Sequence, residues 1–423
     1  DELYSAPVSG SPLTRLSATV VPNARIHYFR LSDDSNYVVY RAEMDTAGVW
    51  EVYSAPVDGS GLQVKLNGAL PPGGEVDDLS ISPDSTRVVY TADQDTDEVI
   101  ELYSVPINGG SRVKLNAPLT ADGDVQEFNT SPDGAWLAYL ADQDTDEQTE
   151  LYLVPTAGGA APIKLNGELT ADGDVGWFQF GPNGDYLVYY ADQDVDEKYE
   201  LYGLSLNPPG APVKLNNPLS ADGDIYTFGF SPNGAWLAYI AYRQSANQFK
   251  LHTILMPDGE PIEVGQAAGS DVWLDGFLFS PDSSFLLYNV YPGMSEGSML
   301  YRVPADGSSA PQPVGDPGPG GIYNYWLTTS GDRIIYQSDR DTAGVFELYS
   351  TAVDGSRPSA KLNGPLVAGG GINGFLPSAD DSHIVYRADQ DIDEVDELYA
   401  ATIPELPPPP PPGWRLYLPV GLR

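Results

Sequence analysis

The chain has 423 residues, with 60 acidic against 21 basic side chains, a formal charge of -39, and no cysteine. That balance excludes nucleic acid and anionic membrane surfaces as partners and favours cations, while the missing cysteine excludes a disulfide framework, a thiolate metal site and a Cys nucleophile. With 44 Gly, 38 Pro and 27 Tyr, the composition is that of many short strands joined by tight turns, with no helix of any length expected.

The first predicted element is a strand at residues 3–8, opened by Glu2-Leu3-Tyr4. Copies of this tripeptide, whole or eroded, place a tyrosine or histidine at Tyr53, Tyr103, Tyr152, Tyr202, His252, Tyr301, Tyr349 and Tyr399, at intervals of 48 to 50 residues. A chain of this length ordinarily divides into two or three domains, but repeats that bury their faces against one another form one large closed unit.

One repeat, 125–166, gives the pattern. Strand A at 125–130 leads through the turn Ser131-Pro132-Asp133-Gly134 into the apolar strand B at 136–140. An acidic loop at 142–147 follows, then strand C at 150–155, a Gly158-Gly159 turn and strand D at 162–165. Four short antiparallel strands repeated with Gly and Pro turns predict an all-β, eight-bladed β-propeller over residues 1–403.

Eight A strands are expected, beginning near Arg25, Val76, Val125, Val175, Ile225, Val272, Ile322 and Ile372. Eight B and eight D strands accompany them, but nine C strands. The D strand at 13–16 is expected to complete the last blade and close the ring, which leaves either 3–8 or 398–403 without a slot. Residues 404–413 form a proline-rich, polyproline II spacer. Residues 414–423 carry a strand-like segment in which Trp414, Leu416, Leu418 and Val420 alternate with Arg415 and Tyr417.

Ser131-Pro132-Asp133-Gly134-Ala135-Trp136-Leu137-Ala138-Tyr139, followed by Glu150-Leu151-Tyr152, a Gly-Gly turn and Lys164-Leu165-Asn166, resembles the WD40-like repeat of TolB-type β-propellers. Ser338-Asp339-Arg340-Asp341 is similar to that family's Ser-Asp-Arg-Asp loop. The resemblance covers about residues 1–403 and implies the fold. Such propellers serve as binding platforms, scaffolds or the non-catalytic domain of some serine peptidases. The acidic loops depart from the family in carrying more carboxylates than the repeat requires. The final Leu-Tyr-Leu-Pro-Val looks like the ends of some exported bacterial surface proteins.

In a four-stranded meander the B-to-C and D-to-A loops share one face, so the acid is concentrated there. The candidate ligands for Ca²⁺ are Asp93, Asp95, Asp97 and Glu98 with Asp122 and Asp124; Asp142, Asp144, Asp146 and Glu147 with Asp172 and Asp174; Asp192, Asp194, Asp196 and Glu197 with Asp222 and Asp224; and Asp389, Asp391, Asp393 and Glu394. Calcium takes six to eight oxygens, and alternating carboxylates in a tight loop supply several. An EF-hand is excluded, because Glu98 stands where its sixth-position glycine belongs and Ser104 where its last glutamate belongs. In three blades an intact acidic loop is followed by an intact Asp-Gly-Asp, and where one is eroded so is the other. Either the two loops build one structural calcium site, or whole blades were copied and the loops travelled together without touching. The lysines Lys65, Lys114, Lys164, Lys214 and Lys361 recur in strand D and are expected to be solubilising edge charges.

No catalytic centre is expected. The three histidines, His27, His252 and His383, fall in different blades, and no Gly-x-Ser-x-Gly elbow is present. The chain begins at Asp1 and has no apolar run long enough to cross a bilayer, which predicts a processed chain, secreted to the cell surface. Two functions follow: a calcium-braced, non-enzymatic structural protein that assembles with copies of itself through residues 2–8 and 414–420, or a monomeric binding platform that uses its acidic face or central channel.

Overall fold

Strand, turn, strand, acidic loop, strand, turn and strand recur along the chain in the order that the sequence predicts. The computed structural model describes residues 1–7, 10–18, 21, 25–268, 273–292 and 297–404. Among them are nine antiparallel sheets: a two-stranded pair, seven four-stranded sheets and a final three-stranded sheet, with only one short 3-10 turn, Gln244–Ala246, as helix. The polyproline spacer from residue 405 and the segment 414–423 lie outside the described residues.

Backbone contacts divide the chain into two compact units, residues 1–219 and 220–423. The first holds the N-terminal pair and four four-stranded sheets; the second holds three four-stranded sheets and the three-stranded one.

The sheet built from Val125–Thr130, Trp136–Ala141, Glu150–Pro155 and Ile163–Lys164 stands for the others. Its A-to-B turn closes through Gly134 N–H to the Ser131 carbonyl, with the Ser131 hydroxyl donating to Asp133 and accepting the Trp136 N–H. Gly134 has φ +71°, a left-handed conformation that glycine takes without a Cβ penalty. Strands B and C pair in full register, Trp136 opposite Pro155 through Ala141 opposite Glu150, whereas strand D contributes only two residues. Strand A carries an irregularity between Val125 and Glu127, and the same irregularity recurs near the start of each A strand.

Strands B and C are buried on both faces, which is why they read as continuous apolar runs. The cores lie between successive sheets: Leu151 and Leu153 of one pack with Phe178, Leu187 and Tyr189 of the next. Each buried leucine of this kind contributes about 1.5–3 kcal/mol. Backbone bonds stitch the same neighbours together, as Val125 N–H donates to Ile100 O and Val175 N–H to Thr149 O.

The expected clasp takes another form. Thr14–Arg15 pairs with Tyr4–Ser5, and Leu3 and Leu16 pack on Val38, Tyr40 and Tyr53 of the first four-stranded sheet. The C strand Glu397–Thr402 has its place in the last sheet, so neither copy is left without a partner strand, and that sheet has no D strand among the described residues. One of its faces is uncovered. Val385 and Leu398 are 47% and 77% exposed, whereas their counterparts Val188 and Leu201 are 0% exposed.

Candidate functional site: the acidic loops and the lysine clamp

Each acidic loop is held by its first aspartate. Asp93 is buried and accepts the Glu75 N–H at 2.5 Å and the Glu98 N–H at 3.3 Å. Asp142 accepts the Asp124 N–H at 2.5 Å, Asp192 accepts those of Asp174 and Glu197, and Asp389 accepts that of Gly371 at 2.5 Å. Asp339 does the same in an eroded loop, taking Gly320 N–H at 2.8 Å and Gly344 N–H at 2.9 Å. The first carboxylate therefore replaces the backbone partners that a tight turn leaves unmade.

The second aspartate belongs to a lysine. Lys114 Nζ lies 2.6 Å from Asp95 and 2.6 Å from Glu101. Lys214 joins Asp194 and Glu200, Lys164 joins Asp144 and Glu150, and Lys361 joins Asp341 and Glu347. Burial alone would lower the Lys114 pKa; the bonds to Asp95 and Glu101 carry it above its ordinary value. The expectation of edge-blocking, solubilising lysines is thus corrected: each ammonium neutralises a buried glutamate of strand C. Glu101, Glu150 and Glu347 in turn accept the hydroxyl of the tyrosine two residues on, Glu101 from Tyr103 at 2.8 Å. Burial first, and this bond second, raise the Tyr103 pKa. Tyr103 is stacked on Tyr90 with ring centroids 5.4 Å apart.

The third aspartates Asp97, Asp146, Asp196 and Asp393, with Asp391, are exposed. The glutamates Glu98, Glu147, Glu197 and Glu394 are exposed too and occupy left-handed backbone, with φ between +56° and +62°. The loop therefore needs at this position the conformation that glycine would give it.

The Asp-Gly-Asp loops complete a relay. Asp124 accepts the Ile100 N–H at 2.6 Å while its own N–H goes to Asp142, and Asp174 accepts the Thr149 N–H at 2.6 Å while its N–H goes to Asp192. Burial raises the Asp124 pKa; the Ile100 N–H opposes that shift, and Asp142 and Asp93 add to it. Asp122 and Asp172 are exposed. In the second unit Asp222 accepts the Ser245 N–H at 2.7 Å, and Asp224 pairs with Tyr242 in the sheet register.

Each Asp-Gly-Asp thus touches the acidic loop that follows it, Asp124 N–H to Asp142, whereas it meets the loop before it, its expected partner, through Ile100 just beyond that loop. Among the described residues, no group of three or more acidic or histidine side chains is arranged to hold a metal ion. Sequence reasoning assigned no role to a further member of the loop, Gln143, whose side-chain oxygen accepts the Tyr139 hydroxyl at 2.8 Å and the Ala117 N–H at 2.9 Å. Gln94 and Gln193 repeat these bonds, and their recurrence after Asp93 and Asp192 was the available signal.

No family model and no curated protein sequence matches the chain. Among solved structures it is similar to Porphyromonas gingivalis dipeptidyl peptidase 4, at 13% identity and a TM-score of 0.56, over 88% of this chain and 59% of that one. A prolyl oligopeptidase B from Galerina marginata matches at 12% identity and TM-score 0.46, over 86% of this chain and 55% of that one. An oligogalacturonate lyase in complex with manganese matches at 13% identity and TM-score 0.43, over 92% of this chain and 98% of that one. The chain thus spans little more than half the length of the peptidases. The dipeptidyl peptidase is an enzyme, and that likeness corrects the expectation of a non-enzymatic protein, whether self-assembling or a passive platform: the fold does not exclude an enzyme.

Proposed function

We propose that the chain is the substrate-holding propeller of an enzyme that acts on peptides, with a preference for basic ones. The observation that carries the proposal is the division of labour within each acidic loop. The first two carboxylates are engaged by the fold, and the third, at Asp97, Asp146 and Asp196, is left exposed in three successive repeats. An array of this kind on a chain of charge -39 attracts cationic chains and raises their local concentration. The likeness to a dipeptidyl peptidase supports peptides as the class.

Eight blades closed into a ring, a TolB-type repeat and an extracellular setting belong to the same proposal. The even spacing of the repeats and the quoted motifs support them.

Hydrolysis of a panel of chromogenic dipeptides and oligopeptides is measured with the chain, together with saturable binding of lysine-rich and glutamate-rich peptides of equal length. The proposal expects turnover, or tighter binding of the lysine-rich peptide that weakens with salt. Neither turnover nor a preference between the two peptides would overturn it.

A further inference from the structure

The tyrosine pair of strands B and C is flanked in three of the four-stranded sheets by three side chains: a glutamate two residues before the C-strand tyrosine, a lysine opposite that tyrosine in strand D, and a glutamine four residues after the B-strand tyrosine; two further sheets keep the glutamate and the lysine. In one sheet these are Glu101, Lys114 and Gln94 around Tyr103 and Tyr90. In the sheet of Phe285–Tyr291 and Met299–Pro304 all three are gone. Met299 replaces the glutamate, Pro292 the glutamine, and Pro313, opposite Tyr301 in the register, the lysine.

The tyrosines themselves remain. Tyr288 and Tyr301 are stacked at 5.5 Å, and neither hydroxyl has a hydrogen-bond partner among the described residues. Where the clamp is missing there is an open cleft of about 400 Å³. It is lined by both tyrosines, by Val290 and Pro311, and by Glu263 and Gln266 of the preceding sheet's D strand.

That preceding sheet explains why a carboxylate is there. Its clamp is reversed in charge: Lys250 takes the glutamate position and Glu263, opposite His252 in the register, takes the lysine position. Lys250 Nζ binds Glu263 Oε2 at 2.6 Å, and Oε1 has no partner among the described residues. The cleft therefore offers a free carboxylate oxygen, two phenol oxygens and an apolar wall around the place where other sheets keep a lysine ammonium. Lys114 and Lys214 sit 5.8 Å and 5.7 Å from the rings of Tyr103 and Tyr202, the range of a cation over an aromatic face.

We infer that this cleft binds a primary ammonium on a short apolar stem, a lysine side chain or an alkyl amine, which takes the place of the missing strand-D lysine. The stem lies along Val290 and Pro311. The ammonium donates to the Tyr301 hydroxyl and to Glu263 Oε1. The inference stands on these residues and is independent of the peptide reading above.

The test is calorimetric titration of the full chain with 1,5-diaminopentane and with its neutral counterpart 1,5-pentanediol, at physiological salt. The diamine is expected to bind saturably, and the diol at least about tenfold more weakly. The double variant Met299→Glu with Pro313→Lys supplies the protein's own clamp and should abolish diamine binding without lowering the melting temperature. Glu263→Gln should weaken binding about tenfold and covers the case in which the double variant fails to fold. No saturable binding, equal binding of the diol, or diamine binding unchanged in both variants overturns the inference.

Discussion

Lys114 Nζ lies 2.6 Å from Glu101, and it is the glutamate, with a side chain only 11% exposed, that is sunk in the sheet. The pair is asymmetric. Removing the lysine leaves a carboxylate with little water and no counter-charge. Lys114→Met is therefore expected to cost about 2 kcal/mol, less than a fully buried pair because the ammonium still reaches solvent. Adding Glu101→Gln should recover most of the loss. Urea unfolding of the three proteins checks this, and a neutral Lys114→Met would show that the clamp contributes nothing.

Glu147 has φ +57°, and in eroded loops Gly48 and Gly344 take the same place at φ +83° and +78°. The exposed glutamate gains no contact that repays this conformation. Glu147→Gly should stabilise the chain by about 0.5–1 kcal/mol, the left-handed penalty less the entropy cost of a glycine. Chemical denaturation that shows a loss would mean that the side chain has a role in the loop.

His252 is buried and stacked on Tyr239 at 4.8 Å, in the position where other sheets have tyrosine. Burial, the main cause, holds its pKa below the ordinary 6.5; Glu263 and a hydrogen bond with the Lys250 backbone oppose the shift, and the charge of Lys250 adds to it. The unfolded chain then takes up the proton at a higher pH than the folded one. The contribution to stability is complete above 6.5 and is lost as pH falls through the folded value. The melting temperature should drop between about pH 7.5 and pH 5.5, and His252→Tyr should remove that part of the drop. An unchanged drop in the variant would assign it to the acidic loops instead.

The acidic loops fold on backbone N–H groups and lysines, so removal of calcium is expected to leave them in place. Melting curves in excess calcium and in chelator should agree within about 1 °C. A rise of several degrees with calcium would mean that ions gather carboxylates which the fold holds apart.

Much of the fold was legible in the residues. The strands predicted at 125–130 and 150–155 are Val125–Thr130 and Glu150–Pro155, because apolar periodicity and the Ser-Pro-Asp-Gly turn fix both ends. Strand D was read as four residues and has two, since only Ile163 and Lys164 have pairing partners in strand C. The acidic loops were legible as positions, but their hydrogen bonds were not. Asp93, Asp95 and Asp97 have the spacing of a cation loop, yet the partner of Asp93 is a backbone N–H, which every residue but proline carries and no sequence marks. The lysine opposite Tyr103 was visible as a repeat, but its salt bridge to Glu101, two residues before Tyr103 on the neighbouring strand, appears only once the register places Lys114 beside Tyr103. Scattered histidines and a missing Gly-x-Ser-x-Gly elbow were taken to argue against an enzyme, yet a fold found in a dipeptidyl peptidase does not exclude one.

The relay through Asp124 has a consequence for how such a chain could grow. Asp124 is bonded to Ile100 behind it and through its N–H to Asp142 ahead. A gene segment copied with its ends inside an acidic loop or an Asp-Gly-Asp would separate donors from acceptors at both junctions. A segment bounded at the Ser131-Pro132-Asp133-Gly134 turn carries the loop and its following Asp-Gly-Asp together, because that turn closes largely on its own hydrogen bonds. Recombination between repeats should therefore be tolerated at those turns, and the heritable unit of this protein is offset from the sheet by one A strand.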